Sequence, residues 1–285
     1  MANDRPFHYL GGMNNSAIAF IGGGNMARSL IGGLVARGHA PGTLHVAEPL
    51  PALRAALATD FSVTVHASAT EAVAGAGTWV LAVKPQMLRE VCETLAPQAQ
   101  AARPLVLSIA AGITAGQIDR WLGGGQAVVR SMPNTPAMLG AGATGLFAND
   151  RVALEQRRAA EGLMQAAGLT AWIPDEALMD AVTAVSGSGP AYVFLLAEAM
   201  QAAGEAQGLA QDTARTLVLQ TVLGAARMLS ESTEPAAVLR QRVTSPGGTT
   251  QAAIECFESG GFRELVDAAI AAATQRGREL ASGKP

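Results

Sequence analysis

AIAFIGGGNMA, residues 17–27, is the stretch of sequence that decides the fold. The apolar run at residues 17–22 has the length and composition of a buried β-strand, and residues 25–37 have those of a helix that ends before Gly38. Between the two, the residues from Gly22 to Ala27 fit the pattern G-x-G-x-x-A. Glycines at these positions allow a tight turn and let a pyrophosphate approach the helix N-terminus. The segment predicts the first βαβ unit of a dinucleotide-binding fold, with an ordinary glycine-rich turn as the alternative.

The alternation of strand-like and helix-like segments continues to about residue 174. Ala- and Leu-rich stretches separate further short apolar runs, at residues 44–47, 79–83, 105–109, 128–132, 142–147 and 170–173. Such alternation is typical of a parallel sheet flanked by helices. We therefore expect an α/β, Rossmann-like NAD(P)-binding domain over residues 1–174. Its glycine turn supplies the first predicted cofactor contacts: Gly22, Gly24, Asn25 and Met26.

The remainder, residues 175–285, has the pattern of an all-α domain. We predict one helix from Pro190 to about residue 208, a second that Asp212 caps and that runs to residue 229, and a third from Thr249. Apolar residues cover much of the circumference of these helices, more than one small domain can bury. The pattern predicts a homodimer through the C-terminal helices and leaves a larger assembly of such dimers open.

The composition excludes several classes of protein. The chain has 285 residues, a formal net charge of −3 and a sequence pI of about 5.8, without a run of Lys or Arg, so we expect no nucleic-acid partner. No apolar run predicts a membrane span. Cys92 and Cys256 have neither metal-ligand spacing nor the pattern of a disulfide framework, which predicts a cytoplasmic location and no bound metal. Residues 1–16 are polar and are expected to form a flexible arm rather than a signal peptide, with Met13 as a candidate alternative start.

Further candidate cofactor contacts follow the predicted strands. Glu48 lies about 25 residues past the glycines, near the position that binds an adenosine ribose, and a carboxylate there favours NAD over NADP. The alternative is a solvated loop acid, with Arg54 near enough to help neutralise a phosphate. The small residues at two later strand ends leave room for a flat ring. These ends contribute Ala82, Val83, Lys84 and Pro85, and Ala110 and Ala111; a surface lysine is the alternative for Lys84.

Three loops complete the set of candidate sites. Asn134 lies between two prolines and offers an amide donor and acceptor beside the expected nicotinamide. Residues 186–192 and 245–250 are Gly/Ser loops that precede helices, and such loops suit a carboxylate as well as a phosphate. Either loop could be a simple helix cap. Two of them in a helical domain beside a nucleotide fold predict at least one anion site.

Taken together, these motifs resemble those of the pyrroline-5-carboxylate reductases, in the same order along the chain. The first domain carries IGGGNMA at 21–27, AVKP at 82–85, SIAAG at 108–112 and RSMPNTP at 130–136. The second carries DAVTAVSGSGPAY at 180–192, VTSPGGTT at 243–250 and GGFR at 260–263. The glycine motif is common to many reductases, whereas the order MPNTP, SGSGPAY and SPGGTT is highly specific to this family.

The resemblance implies that NADPH or NADH reduces a small imino acid, 1-pyrroline-5-carboxylate, to L-proline where two subunits interlock. It implies that the SPGGTT loop holds the substrate carboxylate, at Ser245, Gly248, Thr249 and Thr250, and that Glu176 lies near the substrate. Two departures bear on the cofactor. Residues 66–70 lack the Asn that the family often has there, and Glu48 stands where many members have Ser or Thr. The preference between NADH and NADPH therefore stays open.

The mechanism that this resemblance implies needs few catalytic groups. A protonated imine accepts hydride at carbon, so the protein mainly orients two rings and holds a carboxylate. We take Thr250 as the candidate hydroxyl that hydrogen-bonds the ring nitrogen. Two other functions stay open. One is a related hydroxyacid or imine reductase, although the lysine that hydroxyacid enzymes use is missing from residues 174–271. The other is a nucleotide sensor without catalysis.

Overall fold

The computed structural model describes residues 17–281, and the predicted arm at residues 1–16 lies outside the described residues. The first of two compact units contains an eight-stranded sheet in the order β3-β2-β1-β4-β5-β6-β7-β8. Its strands are β1 (Ile18–Ile21), β2 (Leu44–Ala47), β3 (Thr64–His66), β4 (Thr78–Leu81), β5 (Leu105–Ser108), β6 (Ala127–Met132), β7 (Gly142–Ala148) and β8 (Gly168–Trp172). The helices are α1 (Asn25–Ala36), α2 (Pro51–Phe61), α3 (Ala69–Ala72), α4 (Pro85–Ala102), α5 (Ala115–Trp121), α6 (Leu154–Gln165) and α7 (Met179–Val182). This arrangement confirms the predicted Rossmann-like domain.

Two apolar clusters, one on each face of the sheet, form the core. Neighbouring side chains of β1 point to opposite faces. Phe20 accordingly packs in the cluster that contains residues of α1, and Ile21 in the cluster that contains residues of α4. Burial of each large apolar side chain contributes about 1.5–3 kcal/mol. Both faces of β1, β2, β4 and β5 are covered, which explains their continuous apolar runs.

Two features of the sheet differ from the sequence prediction. The short strand β3 was not predicted, because its residues are half-buried and form no apolar run. The antiparallel pairing of β6 with β7 departs from the predicted parallel sheet. Residues 133–141 join these strands, and a parallel crossover needs about a dozen residues or more. The chain therefore reverses direction.

The second compact unit, Ser188–Ala272, is helical. Its helices are α8 (Gly189–Ala206), α9 (Gln211–Glu231), α10 (Ala236–Arg242), α11 (Thr249–Ser259) and most of α12 (Phe262–Ala281). The predicted starts near Pro190 and at Thr249 are confirmed. The predicted Asp212 cap is wrong, because the residue before α9 is Ala210 and Asp212 lies in the first turn. There its negative carboxylate interacts favourably with the helix dipole instead.

The compact units divide the chain at other points than the predicted boundary between residues 174 and 175. The first unit extends to Gly187 and also contains residues 273–281. A side chain at Gly145 of β7 would meet Val182 at 2.5 Å, so the segment after β8 packs directly on the sheet. At the other end, a Cβ at Gly277 would lie 3.2 Å from Oδ1 of Asp180. The last turns of α12 thus pack within the first unit.

The helical unit exposes much of its apolar surface within this chain. No residue of α8 is buried, and Phe194 and Leu195 are each 66% exposed. Exposed apolar patches of this kind mark interaction surfaces. Along the part of the chain that the structure describes, none of the helices combines the length and the apolar character needed to cross a bilayer.

Candidate active site

The glycine turn between β1 and α1 has a conformation that only glycine adopts easily. Gly22 has φ +106°, and a Cβ on it would lie 2.7 Å from the carbonyl oxygen of Ala82. The main-chain N–H of Gly22 donates to the Ala47 carbonyl oxygen at 2.9 Å. The turn is therefore held between the ends of β2 and β4, the two neighbours of β1 in the sheet.

The N-terminus of α1 has the properties of an anion site. Gly24 precedes the helix, no side chain caps the first turn, and that turn contains no acidic residue. Gly24 and Asn25 are exposed and Met26 is half-buried. A Cβ built on Gly24 meets no atom within 4 Å, so an approaching phosphate finds open space. These residues fit the pyrophosphate of a dinucleotide.

Glu48 lies directly beside this turn and is buried, with 7% of its surface exposed. Its Oε2 accepts from the N–H of Gly23 at 3.1 Å, and its Oε1 accepts from the N–H of Leu50 at 3.0 Å. Arg54 does not pair with this carboxylate. Its Nη1 donates to the main-chain carbonyl oxygens of Glu48 and Pro49, each at 2.7 Å.

The ends of β4 and β5 bring the other predicted cofactor residues to the same edge of the sheet. Ala82 and Val83 are half-buried after β4, and the exposed Lys84 precedes α4, which begins at Pro85. After β5, Ala111 is half-buried, and the buried Ala110 donates its N–H to Oγ of Ser108 at 3.3 Å. Because β1, β4 and β5 are neighbours, these ends meet beside the glycine turn.

Asn134 uses its amide in two bonds within the protein. Its Oδ1 accepts from the N–H of Ala143 at 2.9 Å, and its Nδ2 donates to the carbonyl oxygen of Ser186 at 3.0 Å. Ser186 lies in a π-helical turn, Thr183–Gly187, which overlaps the start of the loop predicted over residues 186–192. Turns of this type are frequent at functional sites. Asn134 thus ties the loop after β6 to the segment before α8.

A buried cluster that the sequence analysis missed surrounds Arg130 of β6. The Arg130 side chain is 4% exposed and lies 3.5 Å from Oε1 of Glu176 and 3.7 Å from Oδ1 of Asp180. Oε1 of Glu176 also accepts from the N–H of Ala115, the first residue of α5, at 2.7 Å. Glu176 therefore has structural partners as well as its predicted place near the substrate. The sequence offered one signal for this cluster. An arginine, Arg130, interrupts an apolar strand, and two acids, Glu176 and Asp180, lie four residues apart later in the chain.

The SPGGTT loop of the helical unit forms a second open helix N-terminus. A turn from Ser245 to Gly248 closes with a 3.0 Å bond between its main-chain atoms, and Gly247 has φ +71°. Thr249 and Thr250 begin α11, whose first turn has no acidic residue and whose preceding Gly248 supplies no side-chain cap. Main-chain N–H groups and two hydroxyls are thus gathered where a carboxylate is favoured.

The histidine and cysteine side chains of the first unit whose pKa values are shifted lie outside these loops. Burial raises the pKa of the Cys92 thiol to about 12, with the charge of Glu93 adding to the effect, so this thiol is no nucleophile. Burial lowers the pKa of His39, and burial followed by repulsion from His66 lowers that of His45. The rings of His45 and His66 stack and share a 3.0 Å hydrogen bond.

Family models match both parts of the chain. Residues 17–112 match the model described as NADP oxidoreductase coenzyme F420-dependent, and residues 176–280 match the model described as pyrroline-5-carboxylate reductase dimerisation. Together with the glycine turn and the open helix N-terminus, the first match defines an NAD(P)H-dependent oxidoreductase.

Similar proteins narrow this class. The pyrroline-5-carboxylate reductase of Pseudomonas aeruginosa is 53% identical over 270 residues, which cover 94% of this chain and 98% of that protein. The reductase structure from Coxiella burnetii has a TM-score of 0.90 and 45% identity over 93% of this chain and 98% of its own. The Plasmodium falciparum structure, with NADP bound, has a TM-score of 0.83 and 28% identity, and the match covers 95% of this chain and 100% of that one. The chain belongs to the pyrroline-5-carboxylate reductase family.

Proposed function

We propose that the chain reduces 1-pyrroline-5-carboxylate to L-proline with NADPH or NADH. The observation that carries the proposal is the pair of open helix N-termini, each preceded by glycine, at α1 and α11. One suits a pyrophosphate and the other a carboxylate. The names of the similar proteins support the same reaction.

For the cofactor, the proposal assigns contacts to the glycine turn and the neighbouring strand ends. When bound, the dihydronicotinamide supplies a hydride. The first turn of α1 binds the pyrophosphate, and the small residues Ala82, Ala110 and Ala111 leave room beside the main chain. Glu48 lies on the ribose side, and Asn134 holds the loop that lies on the nicotinamide side. Lys84 is exposed and serves as a charged contact at the rim.

For the substrate, the proposal assigns the carboxylate to the loop from Ser245 to Thr250. The N–H groups at the start of α11 and the hydroxyls of Ser245 and Thr249 bind it. The hydroxyl of Thr250 bonds to the ring nitrogen and orients the iminium carbon toward the hydride. Because the substrate carries its own proton, no His-Asp pair is required. Glu176 is proposed as a nearby acid that also stabilises the start of α5.

The family match also makes this chain an oligomer-forming protein. We assign the pairing to the helices of the second unit, which form a homodimer, and leave the assembly of such dimers into larger particles to measurement. The exposed apolar side chains of α8 support this assignment, because water is an unfavourable neighbour for them. A cytoplasmic location stays a prediction from the cysteine pattern.

The proposed reaction is tested by adding 1-pyrroline-5-carboxylate to the purified protein with NADH or NADPH in turn. We expect steady oxidation of the dinucleotide and a matching amount of proline, identified by mass spectrometry. A 2-hydroxyacid with the oxidised dinucleotide serves as the control and is expected to give no turnover. Tight dinucleotide binding without proline formation would instead support a nucleotide sensor, and turnover of the hydroxyacid alone would support the related reductases.

A further inference from the structure

The loop between β5 and α5, residues 109–114, is held at its far end by a side chain from a distant segment. Ala115 directly follows this loop, and its N–H donates to Oε1 of Glu176 at 2.7 Å. A hydrogen bond to a carboxylate is stronger than one between neutral groups. The position of the end of the loop therefore depends on where Glu176 is held.

Arg130 of β6 fixes the position of Glu176. Its side chain is 4% exposed, and its Nη1 lies 3.5 Å from the same Oε1 that binds Ala115. Its Nη2 lies 3.7 Å from Oδ1 of Asp180. A guanidinium presents its nitrogens in a planar fork, so contacts with two acids fix its orientation. Arg130 thus links both acids to the sheet.

The same cluster reaches the loop from a second side, through α12. Asp180 packs against Gly277, where an added Cβ would lie 3.2 Å from Oδ1. Near the end of the same helix, Leu280 lies beside the loop, since an added Cβ on Gly112 would lie 3.5 Å from the Leu280 Cβ. Gly112 has φ +74°, a conformation that residues other than glycine rarely adopt. Contacts on two sides therefore restrict the movement of the loop.

This loop carries residues that are proposed to lie beside the nicotinamide. Ala110 and Ala111 follow β5, at the edge of the sheet where the glycine turn also lies. Reacting atoms must approach within about 3–3.5 Å, and a misplacement of about 1 Å can cost a hundredfold in rate. Arg130 is buried, so it can act on the ring only through the residues that it holds.

We infer that Arg130 is a positioning residue for hydride transfer, because through Glu176 and Asp180 it holds residues 109–114 at the nicotinamide side of the bound dinucleotide. The inference rests on the proposed dinucleotide site and assigns no chemical step to Arg130. Removal of this side chain should impair contacts with the nicotinamide ring. Contacts with the adenosine and the pyrophosphate should stay intact, since they lie on other loops.

The test compares the wild type with Arg130→Met, which keeps much of the length of the side chain and removes its charge. Isothermal titration calorimetry gives the dissociation constants of NADH and of ADP-ribose, which lacks the nicotinamide ring, without substrate. We expect ADP-ribose binding to stay within about twofold, because sites without shared partners vary independently. NADH should lose most of the extra affinity that its ring gives it in the wild type, and kcat should fall about a hundredfold.

A second variant changes the end of the loop without altering Arg130. Ala115→Pro removes the N–H that donates to Glu176. Proline is tolerated at the first position of a helix, and Thr114 before it has the extended conformation that proline requires, with φ −80° and ψ 155°. We expect the same selective loss for NADH. A substitution of Glu176 itself would be ambiguous, because this acid is proposed near the substrate.

Hydrogen exchange measures the loop directly. In Arg130→Met, the main-chain amides of residues 109–115 should exchange faster than in the wild type, whereas those of α1 should not change. Arg130→Lys keeps the charge without the fork and should fall between the wild type and Arg130→Met. As a matched control, Arg89→Met makes the same substitution at a 69% exposed side chain of α4 and should behave as the wild type. Far-UV circular dichroism checks the fold of each variant.

The possible results separate the inference from the proposed reaction. Unchanged NADH binding and kcat in both Arg130→Met and Ala115→Pro would overturn the inference. An equal loss of ADP-ribose and NADH binding would also overturn it, because it would indicate a general role in folding. If Arg130→Met does not fold, Ala115→Pro decides by the same two criteria. A selective loss for NADH in a protein that forms no proline would leave the inference standing and remove the proposed reaction.

Discussion

Thr250 is half-buried in the first turn of α11, and it is the residue on which the proposed chemistry depends most. The iminium N–H donates to the Thr250 hydroxyl in the proposed complex, and we expect Thr250→Ala to lower kcat by about a hundredfold, the usual size for loss of one positioned hydrogen-bonding group at the reacting atoms. Dinucleotide affinity should stay unchanged, because the cofactor contacts lie on other loops. Steady-state kinetics and fluorescence titration measure the two quantities.

Two further variants make this prediction specific. Thr250→Ser keeps the hydroxyl and should recover most of the turnover. Thr59→Ala, at an exposed position of α2, should behave as the wild type. Equal loss of turnover and dinucleotide affinity in Thr250→Ala would indicate a folding defect and would remove Thr250 from the proposed role.

The sequence was sufficient to select candidate residues but not their partners. The glycine pattern predicted the turn at Gly22, because a backbone conformation that only glycine adopts easily requires a glycine at that position in the sequence. The bond from Asn134 to Ser186 joins residues 52 apart, and that from Ala115 to Glu176 joins residues 61 apart. Such pairings depend on how distant segments pack. A single sequence carries no local signal for them.

At the scale of elements, Asn134 connects the loop after β6 to the π-helical turn before α8. We expect Asn134→Ala to lower the free energy of unfolding by about 1–3 kcal/mol, because it leaves two main-chain groups without their partners. Asn134→Asp retains the acceptor for Ala143 but brings a carboxylate oxygen against the carbonyl oxygen of Ser186, so its effect should be at least as large. Urea unfolding measures both.

A matched control and a kinetic measurement complete this test. Gln86→Ala, at an exposed position of α4, should leave the unfolding midpoint unchanged. If Asn134 positions the loop at the nicotinamide, Asn134→Ala should also lower kcat at saturating substrate. Unchanged stability would show that the two bonds contribute nothing in solution.

Two buried or partly buried histidines, His39 and His45, predict a pH dependence of stability. The folded-state pKa values of His39 and His45 lie below the ordinary value of 6.5, so the unfolded chain binds more protons as the pH falls. Their contribution to stability is complete above about pH 6.5 and is lost as the pH falls toward the folded-state values. Unfolding by urea at a series of pH values measures this.

The histidine effect can be assigned by substitution. His45→Gln removes one titrating group and should flatten the dependence of the unfolding midpoint on pH below about 6.5. Thr59→Ala should keep the wild-type slope. A steeper loss of stability in acid for His45→Gln would contradict the assignment.

The sequence predicted some strands and helices more accurately than others. Strands that are buried on both faces were predicted to within a residue or two, because their apolar runs are continuous. The short edge strand β3 carries no such run and was missed. The last two residues of the π-helical turn at Thr183–Gly187 were predicted as the start of a loop, because Gly and Ser are typical of loops and the stabilising Asn134 comes from another segment.

At the scale of the whole molecule, the exposed face of α8 predicts that the oligomer forms through this helix. Phe194 is 66% exposed within one chain. We expect Phe194→Glu to shift the protein toward monomers in analytical ultracentrifugation, because a buried unpaired charge is costly. Leu154→Glu, at a 62% exposed position of α6, should stay oligomeric. A Phe194→Glu variant that stays oligomeric would show that α8 is not the contact.

The return of α12 to the sheet-containing unit has a consequence for biosynthesis. Because that unit also contains residues 273–281, Ser188–Ala272 is in effect an insertion within it. During translation, the sheet leaves the ribosome early, yet its packing partner in α12 emerges only after the whole helical unit. A nascent chain stalled before Ala273 should therefore be cleaved by protease more readily than the released one.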